Sequence, residues 1–224
     1  MKLLKPFQSI LYFVFLLSFL FSVKGYGQEF DAGLKAGLNY SLDTEGAEVT
    51  GSLGNFTAQS MPGFYAGAFA EMRFEKIFLR PEILYNHVKG EFQFPNTTSV
   101  YTIDKVSIPL LVGYNIVGPI DLYAGPSLQF LINSSFENVN GDFQQYLNFL
   151  AGQAGIKFNF RKFEIDLRYD FTVANDDSQT ININNTMYNA FFDDGRLNNV
   201  MVGIGFKIFD TQQYRVHSSG NCYF

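Results

Sequence analysis

The hydrophobic pattern of this chain repeats every two residues. From Phe30 to Leu42 every second residue is apolar, and the residues between them are small, polar or charged. Successive side chains of a β-strand point to opposite faces, so the pattern predicts a strand with one apolar and one polar face. Seven further segments repeat it, and we take the eight apolar faces to span 30–42, 64–74, 77–85, 106–114, 120–132, 150–160, 163–171 and 200–208.

The length of these segments distinguishes a transmembrane β-barrel from a soluble β-sandwich. Strands of globular proteins typically have about five or six residues, whereas a tilted strand needs about ten to cross the hydrocarbon of a bilayer. The apolar faces carry no charged residue. Because Arg or Lys on a lipid-facing surface costs about 2–4 kcal/mol at mid-bilayer, this absence also favours the membrane. The pattern therefore predicts an eight-stranded antiparallel transmembrane β-barrel rather than a soluble β-sandwich.

The connections between the segments alternate in length. Phe74 to Ile77, Asn115 to Pro119 and Phe160 to Phe163 are tight, while 43–61, 89–99, 133–146 and 174–198 are long and polar. Bacterial barrels have short periplasmic turns and longer extracellular loops. We therefore expect the long loops to face the cell exterior and both chain ends to lie in the periplasm.

Aromatic residues lie near the ends of the apolar faces. Amphipathic rings are enriched where a membrane protein meets the lipid headgroups, in two girdles around a barrel. We expect this interfacial position for Tyr40, Tyr85, Tyr114, Tyr169 and Phe171.

The N-terminal segment has the features of a secretion signal. Lys2 and Lys5 precede an apolar run from Ile10 to Val23, and Gly25-Tyr26-Gly27 provides a small-x-small cleavage site. The run has about 14 residues, fewer than the roughly 20 of a transmembrane helix, which is the alternative. We expect a signal peptide at 1–27, an outer-membrane barrel domain at 28–210 and a C-terminal tail at 211–224.

The inward faces of the strands carry balanced charge. Eight strands enclose a space that side chains can fill, and unpaired buried charge is costly. We therefore predict a closed, salt-bridged lumen; a selective pore, the alternative, would have more strands and an excess of one sign. The seven acids are Asp31, Glu71, Glu82, Asp121, Glu164, Asp166 and Asp170, and the seven bases are Lys35, Arg73, Arg80, Lys105, Lys157, Arg168 and Lys207.

The remaining charge makes the long loops acidic. They hold ten Asp and Glu residues against only Lys89 and Arg196. Such a surface repels nucleic acid and, unless divalent cations bridge them, lipid phosphates. We therefore expect no nucleic-acid partner; the expected partners are outer-membrane lipid around the barrel and a protein bound through the extracellular loops or the periplasmic turns. Asp176-Asp177 and Asp193-Asp194 are candidates for a Ca²⁺ site, but their spacing matches no EF-hand and loop acids are usually solvated.

Residues that carry chemistry are scarce. The chain has two histidines, His87 and His217, and Cys222 is its only cysteine. A lipid-modifying enzyme of the acyl hydrolase or transferase type is the alternative function, and it needs a nucleophile, a base and an acid in mutual reach. His87 with Ser99 or Ser134 is the candidate set. No HExxH or CxxC spacing occurs, so we expect no catalytic residue, metal or cofactor.

Five short motifs follow one another along the predicted strands. They are Gly33-Leu34-Lys35-Ala36-Gly37-Leu38-Asn39, Arg80-Pro81-Glu82-Ile83-Leu84-Tyr85, Ile108-Pro109-Leu110-Leu111, Tyr123-Ala124-Gly125-Pro126 and Asp166-Leu167-Arg168-Tyr169. In this order they resemble the PorT-like outer-membrane barrel family of Bacteroidetes, and the resemblance covers about residues 30–209. It implies an eight-stranded barrel without assigned catalytic residues, and one family member takes part in type IX protein secretion.

Overall fold

The computed structural model describes residues 28–51, 54–94, 97–140, 149–173, 179–183 and 189–211, and nearly all of them lie in β-strands. No helix in this described part of the chain has the length and hydropathy needed to cross a membrane. The strands are β1 (Gln28–Gly51), β2 (Gly54–Thr57), β3 (Gln59–Ser60), β4 (Pro62–Phe74), β5 (Ile77–Phe94), β6 (Thr97–Val117), β7 (Ile120–Phe136), β8 (Val139–Asn140), β9 (Leu150–Phe160), β10 (Phe163–Thr172), β11 (Gln179–Ile183) and β12 (Asn189–Asp210).

Eight long strands form a closed antiparallel ring. The order around it is β1-β4-β5-β6-β7-β9-β10-β12, and β1 pairs with β12 to close it. In that closing seam, Leu34 pairs with Phe206 and Leu38 with Val202. The predicted eight-stranded antiparallel barrel is confirmed, and closure leaves no open sheet edge along this seam.

Three tight turns lie at the end of the barrel where β1 begins and β12 ends, and we call this the turn end. They are Glu75-Lys76, Gly118-Pro119 and Arg161-Lys162. Glu75 and Arg161 adopt positive φ values of 54° and 43°, a conformation that two-residue hairpins require. The short connections predicted from the sequence are thus confirmed.

The opposite end, which we call the loop end, contains more sheet than the sequence indicates. The expectation that 43–61, 89–99, 133–146 and 174–198 are loops is wrong for much of these ranges. β1 continues to Gly51, β5 to Phe94 and β7 to Phe136, while β12 begins at Asn189. Four short strands, β2, β3, β8 and β11, pair with these extensions or with one another. The barrel wall therefore extends beyond the apolar segments.

The outward surface is apolar along the predicted faces. Leu38, Val112 and Ile204 are more than half exposed, as lipid-facing side chains of an isolated barrel should be. The five predicted girdle residues, Tyr40, Tyr85, Tyr114, Tyr169 and Phe171, are all exposed on this surface. On one side Ala124 and Ala154 lie between larger side chains and leave a depression of about 1020 Å³. These features define the surface that contacts lipid.

Candidate functional site in the barrel lumen

An ion network fills the half of the lumen nearer the turn end. Arg80 of β5 donates from Nε to Glu82 at 2.6 Å and from Nη1 to Glu71 of β4 at 3.0 Å. Arg168 of β10 donates from Nη1 to Glu82 at 2.7 Å and from Nη2 to Asp166 at 2.8 Å. Arg80, Glu82, Asp166 and Arg168, all predicted to face inward, thus lie in one ion network that joins β5 and β10.

Beyond β5 and β10, the network includes residues of four further strands, β1, β4, β7 and β9. Lys157 of β9 pairs with Glu71, and Lys35 of β1 pairs with Asp166. Arg73 of β4 reaches Asp121 of β7. We call this set the lumen ion network; it comprises Lys35, Glu71, Arg73, Arg80, Glu82, Asp121, Lys157, Glu164, Asp166 and Arg168. Except for Arg73, which is 16 % exposed, its paired side chains are at most 1 % exposed.

Aromatic rings pack against the cations of the network. The Arg80 guanidinium lies 3.8 Å from the centre of the Phe69 ring, and the Lys157 ammonium 4.4 Å from that of Phe78. Phe78 has room because its neighbour across the strand pair is Gly113, where a Cβ atom would lie 2.0 Å from the ring. Gly113 thus makes room for a bulky side chain in the lumen.

The remaining two inward ion pairs lie on either side of the network. Lys207 pairs with Asp31 at 2.6 Å at the turn end. Toward the loop end, Lys105 donates to Asp170 at 2.8 Å and to Gln129 at 2.9 Å. All fourteen charged residues that were assigned to the inward faces therefore have an oppositely charged partner in the structure.

Beyond Lys105 the lumen becomes apolar, which the sequence analysis missed. Phe92, Tyr101, Phe136 and Phe192 meet with ring centres 5.2–6.3 Å apart. We call the full set the loop-end apolar cluster; it comprises Ala47, Val49, Ala58, Val88, Phe92, Tyr101, Ile103, Phe136, Ile181, Ala190, Phe192 and Leu197. Its signal in the sequence is a change of face. The outward apolar residues of β5 are odd-numbered up to Tyr85, whereas beyond Tyr85 the apolar residues Val88 and Phe92 are even-numbered and point inward.

His87 lies on the outward surface, and the structure separates it from both candidate nucleophiles. Its Nδ1 is 2.6 Å from Asp104 Oδ1, which also accepts a hydrogen bond from Tyr85 at 2.9 Å. Ser99 is fully buried inside the barrel. Ser134 pairs directly with Ile103, an inward residue of the apolar cluster, and so faces inward too. The barrel wall lies between the base and each serine, so the candidate catalytic set is not assembled.

Other candidate residues lie outside the described residues. They are the signal segment 1–27, the Asp176-Asp177 pair, His217 and Cys222, together with the side chains of Asp193 and Asp194. Within the described part of the chain, no group of three or more His, Cys, Asp or Glu residues is placed to hold a metal ion.

A closed ring of eight long strands, apolar outside and filled with paired charges inside, defines a transmembrane β-barrel of the bacterial outer-membrane type. The chain belongs to the outer membrane protein beta-barrel domain family, whose model matches residues 18–209. It is an outer-membrane protein. No curated protein matches the sequence.

Solved outer-membrane barrels are similar to this chain at low sequence identity. OprG from Pseudomonas aeruginosa is 11 % identical with a TM-score of 0.52, and the match covers 81 % of this chain and 96 % of OprG. Ail of Yersinia pestis is 14 % identical with a TM-score of 0.43, covering 82 % and 100 %. Outer membrane protein W of E. coli is 15 % identical with a TM-score of 0.40, covering 83 % and 100 %. At such identities the likeness concerns the fold alone.

Proposed function

We propose that this protein is a non-enzymatic interaction barrel with a closed lumen, which presents its loop end to partners outside the cell. The lumen ion network carries the first part of this proposal. A water-filled channel would leave its lining side chains accessible to water, whereas Arg80, Glu82, Glu164 and Arg168 are at most 1 % exposed. Each buried charge also has a partner, as a filled lumen requires, because an unpaired buried charge is costly.

The loop end supports the interaction role. Its strands extend beyond the apolar outward faces and are held together by the loop-end apolar cluster. A rigid scaffold that carries variable connections is a common arrangement for recognition. The many acids of these segments favour a partner with a basic surface over one that is itself acidic.

The resemblance to PorT-like barrels gives this role a more specific form. We infer that the protein is an accessory component of protein secretion, which acts by contact rather than by conducting the secreted protein. Eight strands enclose too narrow a space for a polypeptide when side chains fill it. The partner would then be another component of a membrane assembly, bound at the loop end or at the turn end.

Two measurements test the proposal. In a planar bilayer, the purified protein should give no large and stable single-channel conductance; such a conductance would refute the closed lumen. Crosslinking in intact cells followed by purification in detergent should capture a protein partner through the loop end. A chain with Glu91→Gln and Glu137→Gln, two acids of the loop end, should bind that partner more weakly, and a Lys162→Ala chain should keep it.

The enzyme alternative has its own test. Mass spectra of lipid A from cells with and without the gene should be identical if the barrel does not modify lipid. A change of acyl content that the wild-type gene restores would overturn the non-enzymatic assignment. The position of His87, across the wall from Ser99 and Ser134, supports the expected identity of the two spectra.

A further inference from the structure

A polar cluster interrupts the outward surface directly beyond the apolar face of β5. His87 packs against Phe64 with the ring centres 5.0 Å apart, and its Nδ1 contacts Asp104 at 2.6 Å. Asp104 also accepts a hydrogen bond from Tyr85. Two partners thus hold this carboxylate, and Asp104 in turn holds the imidazole through one nitrogen. The other nitrogen, Nε2, is left to contact a ligand, and the His87 side chain is 21 % exposed.

Lys89 adds a cation to the same surface. It follows His87 by two residues on β5, so both side chains point outward, and the buried residue between them, Val88, points into the lumen. Among the described residues the Lys89 ammonium has no carboxylate partner. Acids are far more numerous than bases at the loop end, so a lysine with no carboxylate partner in the described part of the chain has its charge available for an anionic ligand.

The position of the cluster selects the kind of ligand. Ile83 and Tyr85 precede it on the same face and are exposed where lipid contacts the barrel, so His87 and Lys89 lie at the level of the headgroups. Lys and His donors at this level match an anionic headgroup. A divalent cation would need free carboxylates, and Asp104 is already bound to Tyr85 and His87 through one of its oxygens.

We propose that His87 and Lys89 form a binding site for the phosphate of an anionic outer-leaflet lipid. Lys89 supplies the charge, and His87 donates from Nε2 when its ring is protonated. Asp104 is a positioning residue that fixes the imidazole against Phe64. That the lipid belongs to the outer leaflet rests on the proposed function, which places the loop end outside the cell. The contact of His87 and Lys89 with a lipid phosphate does not depend on this orientation.

Native mass spectrometry of the detergent-solubilised, full-length protein tests the site with lipid A as the probe. The wild type should retain lipid A that carries both phosphates and should lose it when the lipid is dephosphorylated. Lys89→Ala should weaken the apparent affinity about five-fold, the factor expected for one lysine near an anionic headgroup. His87→Ala should also weaken it, and the double variant should weaken it further. Lys76→Ala, a lysine of the turn end, is the matched control and should change nothing.

Three results would overturn the proposal. They are equal retention of lipid A by the wild type and the folded double variant, an equal loss in Lys76→Ala, or retention that is independent of the phosphates. Competition with inorganic phosphate distinguishes a site for the lipid headgroup from a site for free phosphate. If it displaces lipid A from the wild type, the site binds free phosphate and the lipid assignment is wrong; if lipid A remains bound, the lipid assignment is supported. Heat-modified migration on gels verifies that every variant is folded.

Discussion

Arg80 and Glu164 join opposite walls of the barrel. Arg80 Nη1 donates to Glu164 Oε2 at 2.9 Å, and Nη2 donates to the other carboxylate oxygen. Arg80 lies on β5 and Glu164 on β10, and three strands separate these in either direction around the ring. The two-point contact therefore spans the lumen at its diameter, and it links halves of the ring that do not share backbone hydrogen bonds at this position.

Arg80→Ala should be strongly destabilising. It leaves Glu164, Glu71 and Glu82 without one of their partners in a buried site, and breaking a buried pair costs about 3–5 kcal/mol. Urea unfolding of the refolded barrel in detergent measures the loss. Lys162→Ala, which removes an exposed cation from a turn, should stay within about 0.5 kcal/mol of the wild type. Equal unfolding midpoints for the two variants would contradict the structural role of the network.

Two adjacent phenylalanines provide a test of the loop-end apolar cluster. Phe192 is 3 % exposed inside the cluster, whereas Phe191 is 49 % exposed on the outward surface. Phe192→Ala should lower the free energy of unfolding by about 3–5 kcal/mol, and Phe191→Ala by much less. Limited proteolysis of both variants in detergent should show faster cleavage at the loop end for Phe192→Ala alone. The reverse order of stability would mean that β12 presents its other face to the lumen.

Gly113 and Phe78 should be energetically coupled. A methyl group at position 113 would lie on the Phe78 ring, so Gly113→Ala should cost about 1–3 kcal/mol through overpacking. Phe78→Leu removes part of the ring, and in that background the same glycine substitution should cost at most half as much. A double-mutant cycle in urea measures this coupling. Strictly additive costs would show that the two positions do not touch.

The orientation of the barrel can be read from epitope tags. A tag after Gly51, at the loop end, should bind antibody on intact cells, because long connections of bacterial barrels face outward. A tag after Lys76, at the turn end, should bind only after the outer membrane is permeabilised. The opposite accessibility would invert the topology and remove the basis for an interaction role of the loop end.

The mature chain should begin at Gln28. The small-x-small site Gly25-Tyr26-Gly27 follows an apolar run too short to span a bilayer, which predicts removal of residues 1–27. N-terminal sequencing of the protein extracted from outer membranes is the measurement. Retention of Met1 would show that the segment is an anchor and not a signal.

Much of the barrel is predictable because a strand has a period of two. Because Leu34 and Ile204 alternate with small or charged residues, each must lie on the apolar face of its strand, and the length of the strands indicates that this face contacts lipid. The same argument placed Arg80 and Glu164 on the inward side. The tight turn at Glu75-Lys76 was visible because so few residues join two apolar faces.

The loop end was less predictable because its apolar positions change face. In a membrane barrel the outward residues are apolar only where they meet lipid. Beyond Tyr85 that requirement ends, and Val88 and Phe92 are instead buried against aromatic residues from other strands. Val88 and Phe92 are two apolar residues in a segment that otherwise looks like a polar loop. The residues that bury them, such as Phe136 and Phe192, come from distant segments, so the local sequence does not show that they are buried.

The sequence by itself determined the eight strands of the ring, the face on which the side chains of their apolar segments lie and the end at which the tight turns occur, because these follow from local periodicity. The tertiary structure decided which charges meet and how His87 is held. Arg80 reaches Glu164 only because the ring closes to a diameter that two side chains can span. His87 faces Asp104 only because β5 and β6 pair in one particular register. Closure and register arise from contacts between strands, and no single segment contains that information.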